Sequence, residues 1–154
     1  MTRIVFTCGD INGIGPEIAI KALNKISSRN QEVQFILIIP ENVLKKTSVL
    51  IHPLFKYQIV NDLGFNNNKP SKVIIFTTKP FRQNIGKPTV ASGEAAYFAL
   101  KLSFDLLRKD LSDVVVTAPV SKTALKLAGV KYPGQTEMYA DWCRVQNFVM
   151  TFLS

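Results

Sequence analysis

Apolar residues recur along this chain in two rhythms. Short, nearly continuous runs rich in Val, Ile and Phe occupy residues 4–8, 34–39, 57–60, 72–77, 113–117 and 147–153. Runs of that length and composition read as strands buried on both faces. Between them, residues 16–26, 41–50, 92–109, 121–127 and 136–144 repeat apolar positions at helical spacing. The alternation predicts an α/β sandwich built on a largely parallel sheet, with a three-layer core up to about Tyr132. The clearest helix is 92–109, with Ser92 as its cap and Glu94 in its first turn. Ala95, Phe98, Ala99, Leu102 and Leu106 form one stripe on it, and Ala96, Leu100 and Leu107 a second, so burial on more than one side is expected. Residues 61–71 and 79–89 have loop composition. The run 147–153 stops while it still reads as a strand, which gives the expectation of a chain cut inside an element.

The first strand-to-helix junction carries the most chemistry. Gly9-Asp10-Ile11-Asn12-Gly13-Ile14-Gly15-Pro16-Glu17 follows a strand and opens a helix whose apolar positions are Ile18, Ala19, Ala22, Leu23 and Ile26. Glycines allow a sharp turn and close approach of a ligand to the backbone. Pro16 suits the first helical position, and Glu17 favours the positive end of the helix dipole. The amides of such a start suit a phosphate or carboxylate, although a plain tight turn has the same sequence. The spacing is neither the dinucleotide fingerprint G-x-G-x-x-G nor the phosphate loop ending in Gly-Lys-Ser/Thr.

Two further junctions repeat the theme. In Val114-Val-Val-Thr-Ala-Pro-Val-Ser-Lys-Thr-Ala124, Ser121 can cap a helix and Lys122 puts a cation at its start. A lysine there opposes the helix dipole unless it faces an anion. In Tyr132-Pro-Gly-Gln-Thr-Glu-Met138, Pro-Gly makes the turn, Thr136 can cap, and Gln135 and Thr136 offer neutral hydrogen-bonding groups. An ordinary surface lysine and an ordinary turn with a cap are the competing readings. In a parallel sheet the first two junctions fall at the carboxyl ends of strands, where ligands of α/β proteins bind.

Composition narrows the alternatives. The chain has 154 residues, 47% of them hydrophobic and 19% charged, enough for one domain with a sizeable core. Its net charge of +8 is dispersed, with Lys45-Lys46 and Arg108-Lys109 the adjacent basic pairs, so anionic metabolites fit better than nucleic acid. No run is long enough for a membrane span and the start shows no signal-peptide pattern, which gives a cytoplasmic expectation. Cys8 and Cys143 lie far apart and read as buried small hydrophobes. The one histidine, His52, precedes Pro53 in a loop context, and a single histidine cannot build a histidine metal site. Asp10, Glu17, Glu137 and Asp141 are oxygen ligands by type, each with a simpler reading as a turn or first-turn acid.

Taken in order, Gly9 to Glu17, the Gly86…Ser92-Gly93 entry to the long helix, Thr117-Ala-Pro-Val-Ser-Lys122 and Gly134-Gln-Thr-Glu137 resemble the 4-hydroxythreonine-4-phosphate dehydrogenase family of pyridoxal phosphate biosynthesis. The first motif is also similar to the N-terminal motif of isocitrate and isopropylmalate dehydrogenases, and the resemblance implies their type of three-layer sandwich. It implies NAD(P)-dependent oxidation of 4-phosphooxy-L-threonine to 2-amino-3-oxo-4-phosphooxybutanoate, which loses carbon dioxide to give 3-amino-2-oxopropyl phosphate. It further implies a homodimer and a divalent metal (Zn, Mg or Co) held by three histidines, all in a part of the family length beyond this sequence. The substrate-binding candidates are then Lys122, Gln135 and Thr136, and the cofactor-binding candidates Gly9, Asp10, Gly13 and Gly15. No catalytic residue is assigned, and no metal ligand is expected in this chain. Where the family has His-Thr this chain has Gln135-Thr136, and glutamine can hydrogen-bond but cannot carry a proton.

The expected organisation is a first α/β domain over 1–132, without its return segment, and the start of a second over 133–154. Three other functions stay open on these residues. They are a dehydrogenase of threonate or erythronate phosphate, a phosphate acyltransferase-like enzyme, and an inactive anion-binding fragment.

Overall fold

The computed structural model describes residues 1–29, 31–62 and 71–151. Its elements in chain order are β1 (Thr2–Thr7), α1 (Gly15–Ile26), β2 (Val33–Pro40), α2 (Glu41–Leu50), β3 (Tyr57–Val60), β4 (Val73–Thr78), α3 (Val90–Arg108), β5 (Val114–Thr117), α4 (Lys122–Leu127) and α5 (Gln135–Trp142). The five strands form one sheet in the order β3-β4-β2-β1-β5, and every pairing is parallel.

The central strands are apolar on both faces because both faces are covered. Phe35, Leu37 and Ile39 of β2 pack with Val73 and Ile75 of β4 under α1 and α2. The alternate residues Ile36, Ile38, Ile74 and Phe76 pack against Ala99, Leu102 and Leu106 of α3. A third cluster on the outer side of α3 joins Ala96 and Leu100 to Leu125 of α4 and Met138 of α5. The sandwich of helices, sheet and α3 thus carries α4 and α5 as an added layer. The expected double-sided burial of the long helix is what connects these clusters.

Several local expectations need correction. The helix begins two residues early, at Val90, because Thr89 is the cap: its side chain accepts from Ser92 N, and the Ser92 hydroxyl accepts from Thr89 N in return. Ser92 is therefore the third residue of a capping box, and Glu94 falls beyond the first turn. Phe98 and Ile18, assigned to apolar faces, are exposed, whereas Ile20 is fully buried in α1 together with the expected Leu23. Cys8 is buried as expected, whereas Cys143 is exposed just past the end of α5. The described part of the run 147–153 forms no strand and joins neither edge of the sheet; residues 152–154 lie outside the described residues, as do 63–70 of the expected loop. His52 is exposed in a loop, as expected.

Candidate functional site

The glycine turn sits at the carboxyl edge of the sheet, where β1 gives way to α1. Gly9 takes φ +66°, and a Cβ there would fall 2.3 Å from the Pro119 carbonyl oxygen. Asp10 N donates to that same oxygen at 2.9 Å, which ties the turn to the segment after β5. Asp10 Oδ1 accepts from Asn12 N at 2.9 Å and closes the turn. A Cβ on Gly15 would lie 2.1 Å from the Cys8 carbonyl oxygen. Gly9 and Gly15 are thus required by the close crossing of the chain over itself. Gly13 differs: a Cβ there would meet nothing nearer than Asp10 at 3.7 Å. It borders a cavity of about 190 Å³ that Pro16, Glu17, Lys46 and Gln83 also line. Of the four cofactor candidates, Gly13 is the one that faces open space at the start of a helix.

The other two junctions meet beyond β5. Ser121 caps α4, accepting from Ala124 N at 3.1 Å, and so places Lys122 in the first turn. Gly134 begins α5 in an extended conformation with no side chain capping the helix. Thr136, expected to cap, lies inside the helix, and its hydroxyl is 3.9 Å from Met150 Sδ. Gln135 and Thr136 line a cavity of about 460 Å³, with Thr117, Tyr139, Cys143 and Phe148 among its other walls. Lys122 does not line it. The lysine Cε stands 3.7 Å from the place a Gly134 Cβ would occupy, and Glu137 Oε2 stands 3.0 Å from the same place, so both charges flank the start of α5. The structure therefore brings two of the three substrate candidates to one cavity and leaves the third outside its wall, beside Gly134.

The wall of this cavity offers neutral hydrogen-bonding groups and apolar surface. No residue on its wall is a carboxylate, histidine, lysine or arginine. The Tyr139 phenol bonds Ser103 Oγ at 2.6 Å, and burial pushes its pKa up to about 12, with the Ser103 bond acting in the opposite direction. It is neutral at physiological pH. Gln135 Oε1 is buried without a partner, an arrangement that costs free energy until a donor is supplied. Among the described residues no group of three His, Cys, Asp or Glu is placed to hold a metal ion, so they do not fit the divalent metal that the resemblance implies. No helix among them is long and apolar enough to cross a membrane.

Two parts of the site were not foreseen. Asn12 binds residues 84–89 from across the fold, a pairing between positions 72 to 77 apart in sequence. Tyr139 and Cys143 reach the cavity wall because α5 turns that side toward β5. Their spacing from Gln135, four and eight residues, is the helical signal that could have located them.

Comparison with known proteins gives a consistent result. A curated relative from Geobacter metallireducens, named 4-hydroxythreonine-4-phosphate dehydrogenase, is 30% identical over 151 residues, 96% of this chain and 44% of that protein. A D-threonate 4-phosphate dehydrogenase from Bordetella bronchiseptica is 27% identical over 94% of this chain and 42% of its own length. The crystal structure of a 4-hydroxythreonine-4-phosphate dehydrogenase from Burkholderia phymatum superposes with a TM-score of 0.81 at 27% identity, covering 96% of this chain and 45% of that one. The Klebsiella pneumoniae enzyme of the same name gives 0.77 at 27% identity. The chain spans less than half the length of these relatives. Residues 31–154 match the family described as pyridoxal phosphate biosynthetic protein PdxA, and the chain belongs to that family.

Proposed function

We propose that this chain supplies the phosphate-ester-binding part of an NAD(P)-dependent dehydrogenase acting on 4-phosphooxy-L-threonine. The observation that carries the reading is the pairing of Gln135 and Thr136 on one cavity beyond the carboxyl end of β5, with Lys122 at the start of α5. Substrate phosphate is received by the Thr136 hydroxyl, the first amides of α5 and the Lys122 ammonium. Gln135 offers a neutral amide to the rest of the substrate. Gly13 and the start of α1 face the cofactor, whose role when bound is to accept the hydride from the substrate's secondary carbon. In this reading the first domain spans 1–132 and the second begins at 133. The active protein is a cytoplasmic homodimer, and the divalent metal is held outside this chain.

The relative from Bordetella bronchiseptica, named for D-threonate 4-phosphate, makes that ester the second substrate to test. Binding is measured on the purified chain through Trp142 emission, because the Trp142 ring lies 5.5 Å from that of Tyr139 on the cavity wall. Lys122→Ala should weaken binding by about 1.5 kcal/mol, roughly tenfold, the low end for a charged hydrogen bond because Lys122 is exposed. Unchanged affinity in that variant and in Thr136→Ala would remove both residues from the site. The 154-residue chain is also expected to form no NADH from 4-phosphooxy-L-threonine, NAD and a divalent metal, because its described residues offer no cluster of three metal ligands. Turnover comparable to that of a family-length enzyme would overturn the assignment.

A further inference from the structure

Residues 82–88 are exposed or half-buried; none is buried. The segment has firm anchors at both ends. Phe81 is buried, and its backbone exchanges two hydrogen bonds with the Asn42 side chain, Asn42 Nδ2 to Phe81 O at 2.7 Å and Phe81 N to Asn42 Oδ1 at 3.1 Å. Thr89 is locked in the capping box of α3. Between these anchors the segment is held down by the glycine turn. Gln83 Nε2 donates to Ile11 O at 2.8 Å, Asn84 N to Asn12 Oδ1 at 2.8 Å, and Gly86 N to Asn12 O at 2.8 Å. Asn12 Nδ2 donates to Lys87 O at 2.8 Å and to Thr89 Oγ1 at 3.2 Å. Asn12 is itself 1% exposed, so a buried amide fastens an exposed strap.

Gln83 lines two cavities. One, of about 390 Å³, includes Arg82 and Ala91; the other, of about 190 Å³, includes Gly13 and Thr47. The strap is a wall of both. We propose that residues 82–88 are a gate latched by Asn12, and that its opening joins the two cavities into one slot across the glycine turn. A segment fixed by hydrogen bonds and without a fully buried residue opens below the threshold of global unfolding. Asn12 is the positioning residue of that gate.

Hydrogen exchange on the purified chain tests this. In the native protein the amides of Asn84 and Gly86 should exchange together, faster than those of Ile36 and Leu37 in β2. Asn12→Ala removes the acceptor of Asn84 N but leaves the backbone carbonyl that receives Gly86 N. A gate requires both amides to accelerate by the same factor, at least tenfold, with β2 unchanged. Acceleration of Asn84 alone means a local contact and overturns the proposal; so does equal acceleration throughout β2. If Asn12→Ala does not fold, Gln83→Ala carries the same criteria. Access is read with Thr47→Cys, a position 6% exposed on the smaller cavity. Its alkylation should quicken in the Asn12→Ala background, which leaves the cavity wall intact, in step with Asn84 exchange, while exposed Cys143 reacts at a constant rate. Alkylation that does not follow the strap would show that the cavities are not gated by it.

Discussion

Alanine at Gly93 sets two effects against each other, and the structure decides between them. In an isolated helix the change gains about 1 kcal/mol, since glycine is the poorer helix former. Here the new Cβ would lie 2.0 Å from Ala124 O and 2.9 Å from Ala128 Cβ. The obstruction is α4 backbone, so α4 has to retreat by more than an ångström to reach ordinary contact. That movement loosens Leu125 from Ala96 and Leu100, which are buried together in the cluster behind α3. Overpacking of this kind costs up to about 3 kcal/mol, which exceeds the helical gain and leaves a net loss of about 2 kcal/mol. The assay is urea unfolding followed by emission from Trp142, the one tryptophan, which stacks edge-on against Tyr97 and Tyr139 in the affected cluster. With a urea slope of about 2 kcal/mol/M, the midpoint should fall by about 1 M. A midpoint equal to or above that of the native chain would refute the close α3–α4 approach.

Further outcomes are expected at the titrating groups. A disulfide reagent should modify Cys143 but not Cys8 in the folded chain, and both in urea, because burial pushes the Cys8 thiol from 9.0 up to about 12; modification of both in the folded state would contradict its burial. Cys8 and Tyr139 are each held neutral to about 12 by burial, whereas their unfolded counterparts lose protons from 9.0 and 10.0. The unfolded state therefore releases protons first as pH rises, and stability intact below about pH 9 should decline toward pH 12. Urea midpoints measured at about pH 8 and about pH 11 check the sign, and equal midpoints would refute it.

The fold was legible where the sequence repeats itself. Both faces of β2 and β4 are buried, so their runs are continuous and easy to read, and β3 falls on its expected boundaries. Helix starts were less legible, because a capping box is a reciprocal pair: Ser92 has cap chemistry, and only the backbone angles of Thr89 show which member comes first. The last run reads as a strand by composition, yet strand formation needs an edge to pair with, and composition does not record that. Among the site candidates, Gly13, Gln135 and Thr136 are picked out by local spacing. The grip of Asn12 on residues 84–89 does not, because a hydrogen bond between positions more than 70 apart leaves no periodic trace. Gly9 and Gly15 look like ligand-binding glycines in sequence for a related reason: a carbonyl that crosses at 2.1–2.3 Å from a would-be Cβ demands glycine just as a ligand phosphate would.

The position of α3 also bears on the order in which the chain can fold. Ala95 faces the cluster under α1 and α2, Ala99 and Leu106 the opposite side of the sheet, and Leu100 the cluster with α4 and α5. No one of these clusters is complete until that helix docks. The strands β1 and β2 can pair early, since they are near in sequence, but they gain a second covered face only when residue 90 onward arrives. The helices α4 and α5, which position Lys122 and Gln135, have little to collapse upon before that moment. The end of the molecule that carries Lys122, Gln135 and Thr136 therefore gains its buried support only once α3 has docked.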